Sequence, residues 1–327
     1  MKSLVTGGAG FIGSHLSRTL LREGHEVVAV DNLSTGSSAN LDDIINEICF
    51  IRGDIRDGTL VKRLLRGVDF VFHQAALPSV RRSVDDPWAT NDHNVNGTLN
   101  LLLASRDAGV RRFIYAASSS AYGETAGLPR KESMPASPLS PYALSKYTGE
   151  LYCQVFNKVY GLETVCLRYF NVFGPRQDPN SHYAAVIPRF IKALMYGESP
   201  VVFGDGKQTR DFTYVDDVVT ANILACKAPQ KIVAGEVFNI GCGQRVSINR
   251  LLEELQVIMG TSIEPSYAEP RPGDVRDSQA DISKARKLLG YQPKVELTEG
   301  LDLTVAWFSA NMQTERWTGN HRASVRM

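Results

Sequence analysis

The chain has 327 residues, enough for one large or two intimate domains around a substantial core. Its 36 basic and 35 acidic residues leave a formal charge of +1, which gives no electrostatic reason to expect nucleic acid or a membrane surface as a partner. Cys49, Cys153, Cys166, Cys226 and Cys242 are an odd set without a C-x-x-C pair, so neither a disulfide framework nor a zinc or other metal site is indicated, and all five read as small buried hydrophobes.

Residues 2 to 6, Lys-Ser-Leu-Val-Thr, read as a short buried strand, and Phe11, Ile12, Leu16, Leu20 and Leu21 recur at helical spacing. A strand therefore enters a helix through glycine. Gly8, Gly10 and Gly13 satisfy the dinucleotide fingerprint, and Gly7, Gly10 and Gly13 form a second regular series. Without Cβ atoms they permit a tight turn, let a pyrophosphate approach the main chain, and let the helix sit close on the strand with its first N–H groups facing the anion. Gly24 caps the helix. Residues 26 to 30 make the next strand, and Asp31 stands at its end. A carboxylate there accepts both adenosine ribose hydroxyls and repels a 2′-phosphate, which favours NAD over NADP.

Further strand-like runs at 48–51, 68–73 and 111–117 alternate with helical segments. That alternation predicts an α/β fold, a doubly wound parallel sheet of Rossmann type covered on both faces. One helix starts at Asp86-Pro87 and another at Ser140-Pro141, the latter running to about Tyr160. After a strand at Thr164–Arg168 the text becomes "RYFNVFGPRQDPN", a loop that opens a smaller region. Val237–Ile240 reads as a strand returning to the sheet, so the two regions interleave. The cofactor domain is expected at 1–170 with returning segments at about 211–241, the substrate region at 171–210 and 242–310, and a tail without periodicity at 311–327. No apolar run reaches the roughly 18 residues of a membrane span and no signal peptide is apparent, so a soluble cytoplasmic protein is expected.

Tyr142 and Lys146 lie one helical turn apart and so share a face. A phenol with its ordinary pKa near ~10 is a poor base, and bringing it toward ~7 takes roughly 4 kcal/mol of differential stabilisation. A nearby ammonium and a positively charged nicotinamide ring act in that direction.

Gly7-x-x-Gly10-x-x-Gly13, Asp31-Asn32, Asp54-Ile55, Ala75-Ala76, Ser118-Ser-Ser120-Ala-Tyr-Gly123, Tyr142-x-x-x-Lys146 and Arg168-Tyr-Phe-Asn-Val-Phe-Gly-Pro175 together resemble the extended short-chain dehydrogenase/reductase family. The resemblance covers roughly residues 1 to 307 and is strongest to the nucleotide-sugar 4-epimerases. It implies that the base matching Tyr142 takes the proton of the sugar 4-hydroxyl while hydride leaves C4 for NAD, and that the 4-keto sugar then turns and takes the hydride back on its other face. Ser118 would share hydrogen bonds with that hydroxyl, and Lys146 would hold the nicotinamide ribose and lower the tyrosine pKa. The implied NAD contacts are Gly7, Gly10, Phe11, Ile12, Gly13, Asp31, Asn32, Ser34, Gly36, Asp54, Ile55, Gln74, Ala75, Ala76 and Tyr169, besides Tyr142 and Lys146.

The resemblance also places the nucleotide sugar. Arg210, Arg245 and Arg271 match contacts to the diphosphate, which suits the guanidinium fork. Asp274, Ser79, Ser119 and Ser120 match nucleotide-sugar contacts, Asn171 one to the sugar-phosphate, and the Ala185-Val186 backbone those to uracil. Relatives that dehydrate their substrate carry Asp-Glu where this chain has Ser119-Ser120, and a hydroxyl replaces a carboxyl badly in acid–base work. Gly273 removes a wall that a tyrosine would raise against a 2-N-acetyl group. A UDP-N-acetylhexosamine therefore fits, with UDP-glucose and UDP-galactose also admissible. Arg81 and Arg82 leave a UDP-glucuronate or UDP-N-acetylglucuronate as an alternative, and a non-catalytic dinucleotide sensor is the alternative of another class. Val201-Val-Phe203 is less polar than expected for an N-acetylhexosamine epimerase. His73 and His93 are expected to be structural. The helices around 87–108 and 140–160 resemble those that pair family members into dimers through a four-helix bundle.

Overall fold

The computed structural model describes residues 1–179, 185–270 and 275–318. Its first half alternates strand and helix: β1 (Lys2–Thr6), α1 (Phe11–Arg22), β2 (Glu26–Asp31), β3 (Cys49–Arg52), α2 (Gly58–Leu64), β4 (Phe70–His73), α3 (Val80–Asp85), α4 (Pro87–Asn91), α5 (Gly97–Asp107), β5 (Arg112–Ser118), α6 (Pro141–Tyr160) and β6 (Glu163–Tyr169). The second half holds β7 (Val172–Phe173), α7 (Val186–Tyr196), β8 (Val201–Phe203), β9 (Thr209–Arg210), β10 (Thr213–Tyr214), α8 (Val215–Lys227), α9 (Gln230–Val233), β11 (Glu236–Ile240), β12 (Val246–Ser247), α10 (Ile248–Met259), β13 (Ser266–Ala268), α11 (Ser283–Leu289) and α12 (Leu297–Thr318).

Seven strands form one sheet in the order β11-β6-β5-β4-β1-β2-β3, with every pair parallel. The order runs outward from β1 in one direction and from β4 in the other. Between them lies the switch point, where the strand ends open a crevice. Successive side chains on a strand point to opposite faces, and two cores follow. Val5, Phe72, Ile114 and Leu167 join Leu16 and Leu20 of α1 and Val218 of α8 on one face. Leu4, Val71, Phe113 and Cys166 join Leu101 of α5 and Phe156 of α6 on the other. A third core packs Phe173 against Phe190 of α7, Leu251 and Leu255 of α10, and Leu301 and Phe308 of α12.

The helix bearing Tyr142 is fixed at both ends. Ser140 Oγ accepts from Ala143 N at 3.1 Å, Pro141 fills the first turn, and Gly161 closes the helix at φ +70°. A buried ion pair, Arg168 Nη2 to Glu150 Oε1 at 2.7 Å, ties α6 to β6.

Three expectations need correction. The helix entered at Asp86-Pro87 is broken by a π turn at Asp92–Asn96 before continuing as α5. Part of the expected tail is helix, because α12 runs to Thr318: once the buried face of Leu301 and Phe308 has nucleated it, Met, Gln, Glu and Arg prolong it cheaply. Cys49 is exposed and Cys242 half-buried, so only Cys153, Cys166 and Cys226 are buried hydrophobes; Cys49 begins β3, the edge strand of the sheet.

Candidate active site

A cavity of about 820 Å3 occupies the crevice at the carboxyl ends of the central strands. Its floor is the turn from β1 into α1. Gly7 adopts φ +66°, and its carbonyl accepts from Gly10 N at 3.0 Å. A Cβ on Gly13 would stand 2.1 Å from that carbonyl oxygen, so the close approach requires glycine there. Gly10 precedes α1 without a side-chain cap, leaving the first N–H groups of the helix to the cavity that Phe11, Ile12 and Gly13 also line.

Asp31, at the end of β2, lies on the cavity wall. Its Oδ2 accepts from Ala9 N at 3.1 Å and its Oδ1 from Leu33 N at 2.8 Å. Burial raises its pKa, while the N–H groups of Leu33, Ala9 and Gly10 oppose the rise. Gly36 is not on the wall but passes behind this carboxylate, where a Cβ would come within 2.9 Å of Oδ2. Asn32 donates to Asp54 Oδ2 at 2.9 Å and its Oδ1 accepts from Ser34 N at 3.0 Å. Arg56, bonded to Asp54 at 2.7 Å, holds that carboxyl well below the usual range. Ile55, Gln74, Ala75 and Ala76 complete this end. Tyr169 Oη accepts from Asn222 Nδ2 at 2.8 Å and lies 3.2 Å from Gln74 Nε2; burial takes its phenol up to about 12. The glycine cradle, the bare helix N-terminus and the carboxylate at the end of β2 fit NAD.

Tyr142 is half-buried on the same wall, facing the end of β5 and the 3-10 turn Ser119–Tyr122 that follows it. Burial raises its pKa, and the Ser118 hydroxyl beside it acts in the opposite sense. Lys146 lies one turn further along α6. It is buried, with Nζ 4.4 Å from the centroid of the Tyr115 ring, and burial brings its pKa down to about 8. The downward pull on the tyrosine in this arrangement comes from Ser118.

Asn94 was not foreseen. The π turn directs it inward, where Oδ1 accepts from Leu77 N at 2.8 Å and Nδ2 donates to Ser145 Oγ at 3.0 Å, joining the loop after β4 to the helix of Tyr142. The available signal was "TNDHNVNG", three asparagines inside a helix, where asparagine is a poor former. His73 is fully buried between Thr6 Oγ1 at 2.7 Å and Thr98 Oγ1 at 2.8 Å, and burial lowers its pKa. His93 donates from Nδ1 to Ala89 O at 2.8 Å and lines the cavity.

At the far end the wall carries Ser79, Arg82, Ser119, Ser120, Asn171, Ala185 and Arg210. Ser79 Oγ also caps α3, accepting from Arg82 N at 3.1 Å. Asn171 turns at φ +21°, and its carbonyl accepts from Thr213 N at 3.2 Å. Arg210 Nη1 donates to the carbonyls of Thr209 and Arg276, each at 2.9 Å. Val186 and Arg245 are not on the wall; Arg245 is exposed, just before β12, the partner of β9. Arg81 is exposed and off the wall as well. Arg271, Gly273 and Asp274 lie outside the described residues. Also unforeseen was Asp211, fully buried beside Arg210, which accepts from Cys242 N at 2.9 Å, Gly243 N at 3.0 Å and Ala280 N at 2.9 Å. Burial takes its carboxyl up to about 6.

A dinucleotide cradle at the switch point of a parallel sheet, with a tyrosine among serine hydroxyls at its far end, defines an enzyme of nicotinamide-dependent redox chemistry. Residues 3–241 match the NAD dependent epimerase/dehydratase family, and the chain belongs to that family. It is 43% identical to the UDP-glucose 4-epimerase of Thermotoga maritima, solved with UDP-glucose, with a TM-score of 0.91 over 95% of this chain and 100% of that one. It is 42% identical to a UDP-N-acetylglucosamine 4-epimerase of Methanobrevibacter ruminantium, solved with UDP-N-acetylmuramic acid, at 0.90 over 94% and 98%. To a UDP-glucuronic acid 4-epimerase of Bacillus cereus, solved with UDP-glucuronic acid and NAD, it is 38% identical at 0.89 over 95% and 99%. The protein is an NAD-dependent epimerase.

Proposed function

We propose that the protein interconverts UDP-hexoses epimeric at C4, with UDP-N-acetylglucosamine and UDP-N-acetylgalactosamine as its main pair and UDP-glucose and UDP-galactose as a second. The observation that carries the reading is the wall beside Tyr142, where Ser118, Ser119 and Ser120 bring hydroxyls and no carboxylate. With hydroxyls at these three positions, Tyr142 moves one proton on and off the 4-hydroxyl and finds no carboxyl there to assist dehydration.

NAD, when bound, supplies a reversible hydride acceptor. The residues that would hold it are the Gly7–Gly13 turn for the pyrophosphate, Asp31 for the adenosine ribose, and Lys146 with Tyr169 at the nicotinamide end. Tyr142 Oη accepts the proton of the sugar 4-hydroxyl and later returns it. Ser118 donates to the oxygen that carries the charge. Arg210, together with Arg245 and Arg271 as proposed contacts, grips the nucleotide diphosphate while the sugar turns, and Asp274 is the proposed contact to the nucleotide sugar. Glycine at position 273, where a tyrosine would stand against a 2-N-acetyl group, is the sequence feature that favours the N-acetylated sugar.

Incubating the protein separately with UDP-N-acetylglucosamine, UDP-glucose and UDP-glucuronate, and resolving the products by anion exchange and NMR, tests the reading. A C4 epimer formed fastest from the N-acetylated sugar supports it, and no epimer from any of the three overturns it. Arg82 on the wall favours a second reading, a UDP-uronate as substrate, because a guanidinium there suits a carboxylate. Fastest turnover of UDP-glucuronate would establish that instead.

The same proposal includes a homodimer in the cytoplasm. Leu144, Leu151, Val155 and Val159 of α6 are exposed along one helical stripe, and Leu103 of α5 is exposed as well. A second copy presenting the same helices would bury them in a four-helix bundle. Sedimentation at a monomer mass would refute it. No helix among the described residues is long and apolar enough to cross a membrane.

A further inference from the structure

We propose that Ser120 is a positioning residue for the reaction, fixing the direction of the Ser118 hydroxyl so that its proton is committed to the oxygen of Tyr142. The inference rests on the epimerase reading of this site and goes beyond it.

A serine hydroxyl has one proton to give and two lone pairs to offer. Ser118, the last residue of β5, has both lone pairs engaged by one neighbour: Ser120 N donates to Ser118 Oγ at 3.2 Å, and Ser120 Oγ donates to it at 2.8 Å. The main-chain bond cannot reverse, since an N–H only donates. With its acceptor capacity filled, Ser118 keeps only its own O–H to give, and Tyr142, in the first turn of α6, lines the same wall of the cavity. A hydroxyl held as a donor stabilises a phenolate more than a phenol, because hydrogen bonds to ionised groups are the stronger ones. Two donors behind Ser118 also polarise it further. The serine at position 120 is thus more than a small residue that replaces an acid: it orders a chain of hydroxyls that ends on the base.

The remaining groups around Tyr142 come from several elements. Lys146 lies one turn along its own helix with its ammonium over Tyr115, Tyr115 comes from β5, Tyr169 from β6, Arg82 from α3, and His93 from the π turn. The hydroxyl of Ser120 is directed at Ser118 rather than at any of them, so removing it acts on Tyr142 through Ser118.

The test is Ser120→Ala, with Ser120→Thr as the conservative rescue and Tyr142→Phe as the reference for the phenol. Two readouts are needed: the pH dependence of kcat, and the ionisation of Tyr142 by ultraviolet difference titration against the Tyr142→Phe variant. Ser120→Ala is expected to move both upward by about one pH unit, a tenfold loss of phenolate at a given pH, and Ser120→Thr to restore them. An unchanged titration overturns the inference. So does a downward shift, which would mean that Ser118 donates to Ser120 in the native protein. Should Ser120→Ala fail to fold, Ser120→Cys decides, because a thiol is a weak donor and must shift the titration in the same upward direction. The titration needs no turnover, so a wild-type protein inactive on every UDP-hexose overturns the epimerase reading alone.

Discussion

Replacing Gly13 by alanine asks whether the nucleotide turn is set by the closeness of the main chain. The added Cβ would lie 2.1 Å from the Gly7 carbonyl oxygen, 2.8 Å from its carbon and 3.0 Å from Gly8 Cα, all backbone atoms without a rotamer to give way. Real Cβ atoms essentially never come closer than 3.0 Å to such neighbours, so helix and turn must part by about 1 Å. Leu16 and Leu20 hold α1 in the core beneath the sheet and resist that movement. Overpacking of this kind costs about 1–3 kcal/mol, and the displaced turn carries the N–H groups that open on the cavity, where the proposed pyrophosphate contacts lie. Calorimetric titration with NAD is expected to show affinity at least about tenfold weaker, or about 1.4 kcal/mol, with a lower urea midpoint. Gly24→Ala is the control. Nothing lies within 4 Å of a Cβ there, and only its φ of +78° is strained, a cost of about 1 kcal/mol in stability with NAD affinity unchanged. Wild-type affinity in Gly13→Ala, or equal loss in both variants, would refute the reasoning.

Tyr142→Phe should lower turnover by about 100-fold to 10,000-fold while NAD binding and the urea midpoint persist; near-normal turnover would remove Tyr142 as the base. Glu150→Gln leaves the Arg168 guanidinium buried without its counter-charge, and Arg168 Nη1 already lacks a hydrogen-bond partner among the described residues. The loss in urea unfolding should be about 3–5 kcal/mol, much of it recovered by pairing Glu150→Leu with Arg168→Met, and a loss too small to resolve would contradict the burial of the pair. Asp211 titrates at about 6 in the folded protein against an ordinary 3.8, so folding takes up a proton between those values. Stability from this group is gained as pH falls from 7 toward 4 and lost as pH rises through about 6, a swing of about 3 kcal/mol. Wild type and Asp211→Asn should diverge across that window in urea titrations, and parallel curves would discard the assignment.

The central strands were legible because each is a short apolar run bounded by glycine or polar turns, and burial on both faces demands such runs. The glycine turn and the Tyr142–Lys146 spacing were legible for the same local reason. What escaped depends on distant partners. Asp211 receives its N–H groups from residues 31 to 69 positions away, and no pattern around it announces them. Asn94 points inward only because a π turn shifts the helical phase. The two-residue strands β7, β9, β10 and β12 are too short for periodicity and exist through their pairing. The place of Lys146 along the helix was legible, but its contact with the Tyr115 ring is decided by packing.

The return of β11 to the sheet beside β6 bears on how the chain folds. The third core draws Phe173, Phe190 and Phe212 from before β11 and Leu251, Leu301 and Phe308 from after it. A chain ended after β6 would leave a strand with six of seven residues buried as an open edge, ready to pair with another chain. Segments on both sides of β11 are thus needed at once to complete the sheet edge and the third core, so the two halves of the chain fold as one unit.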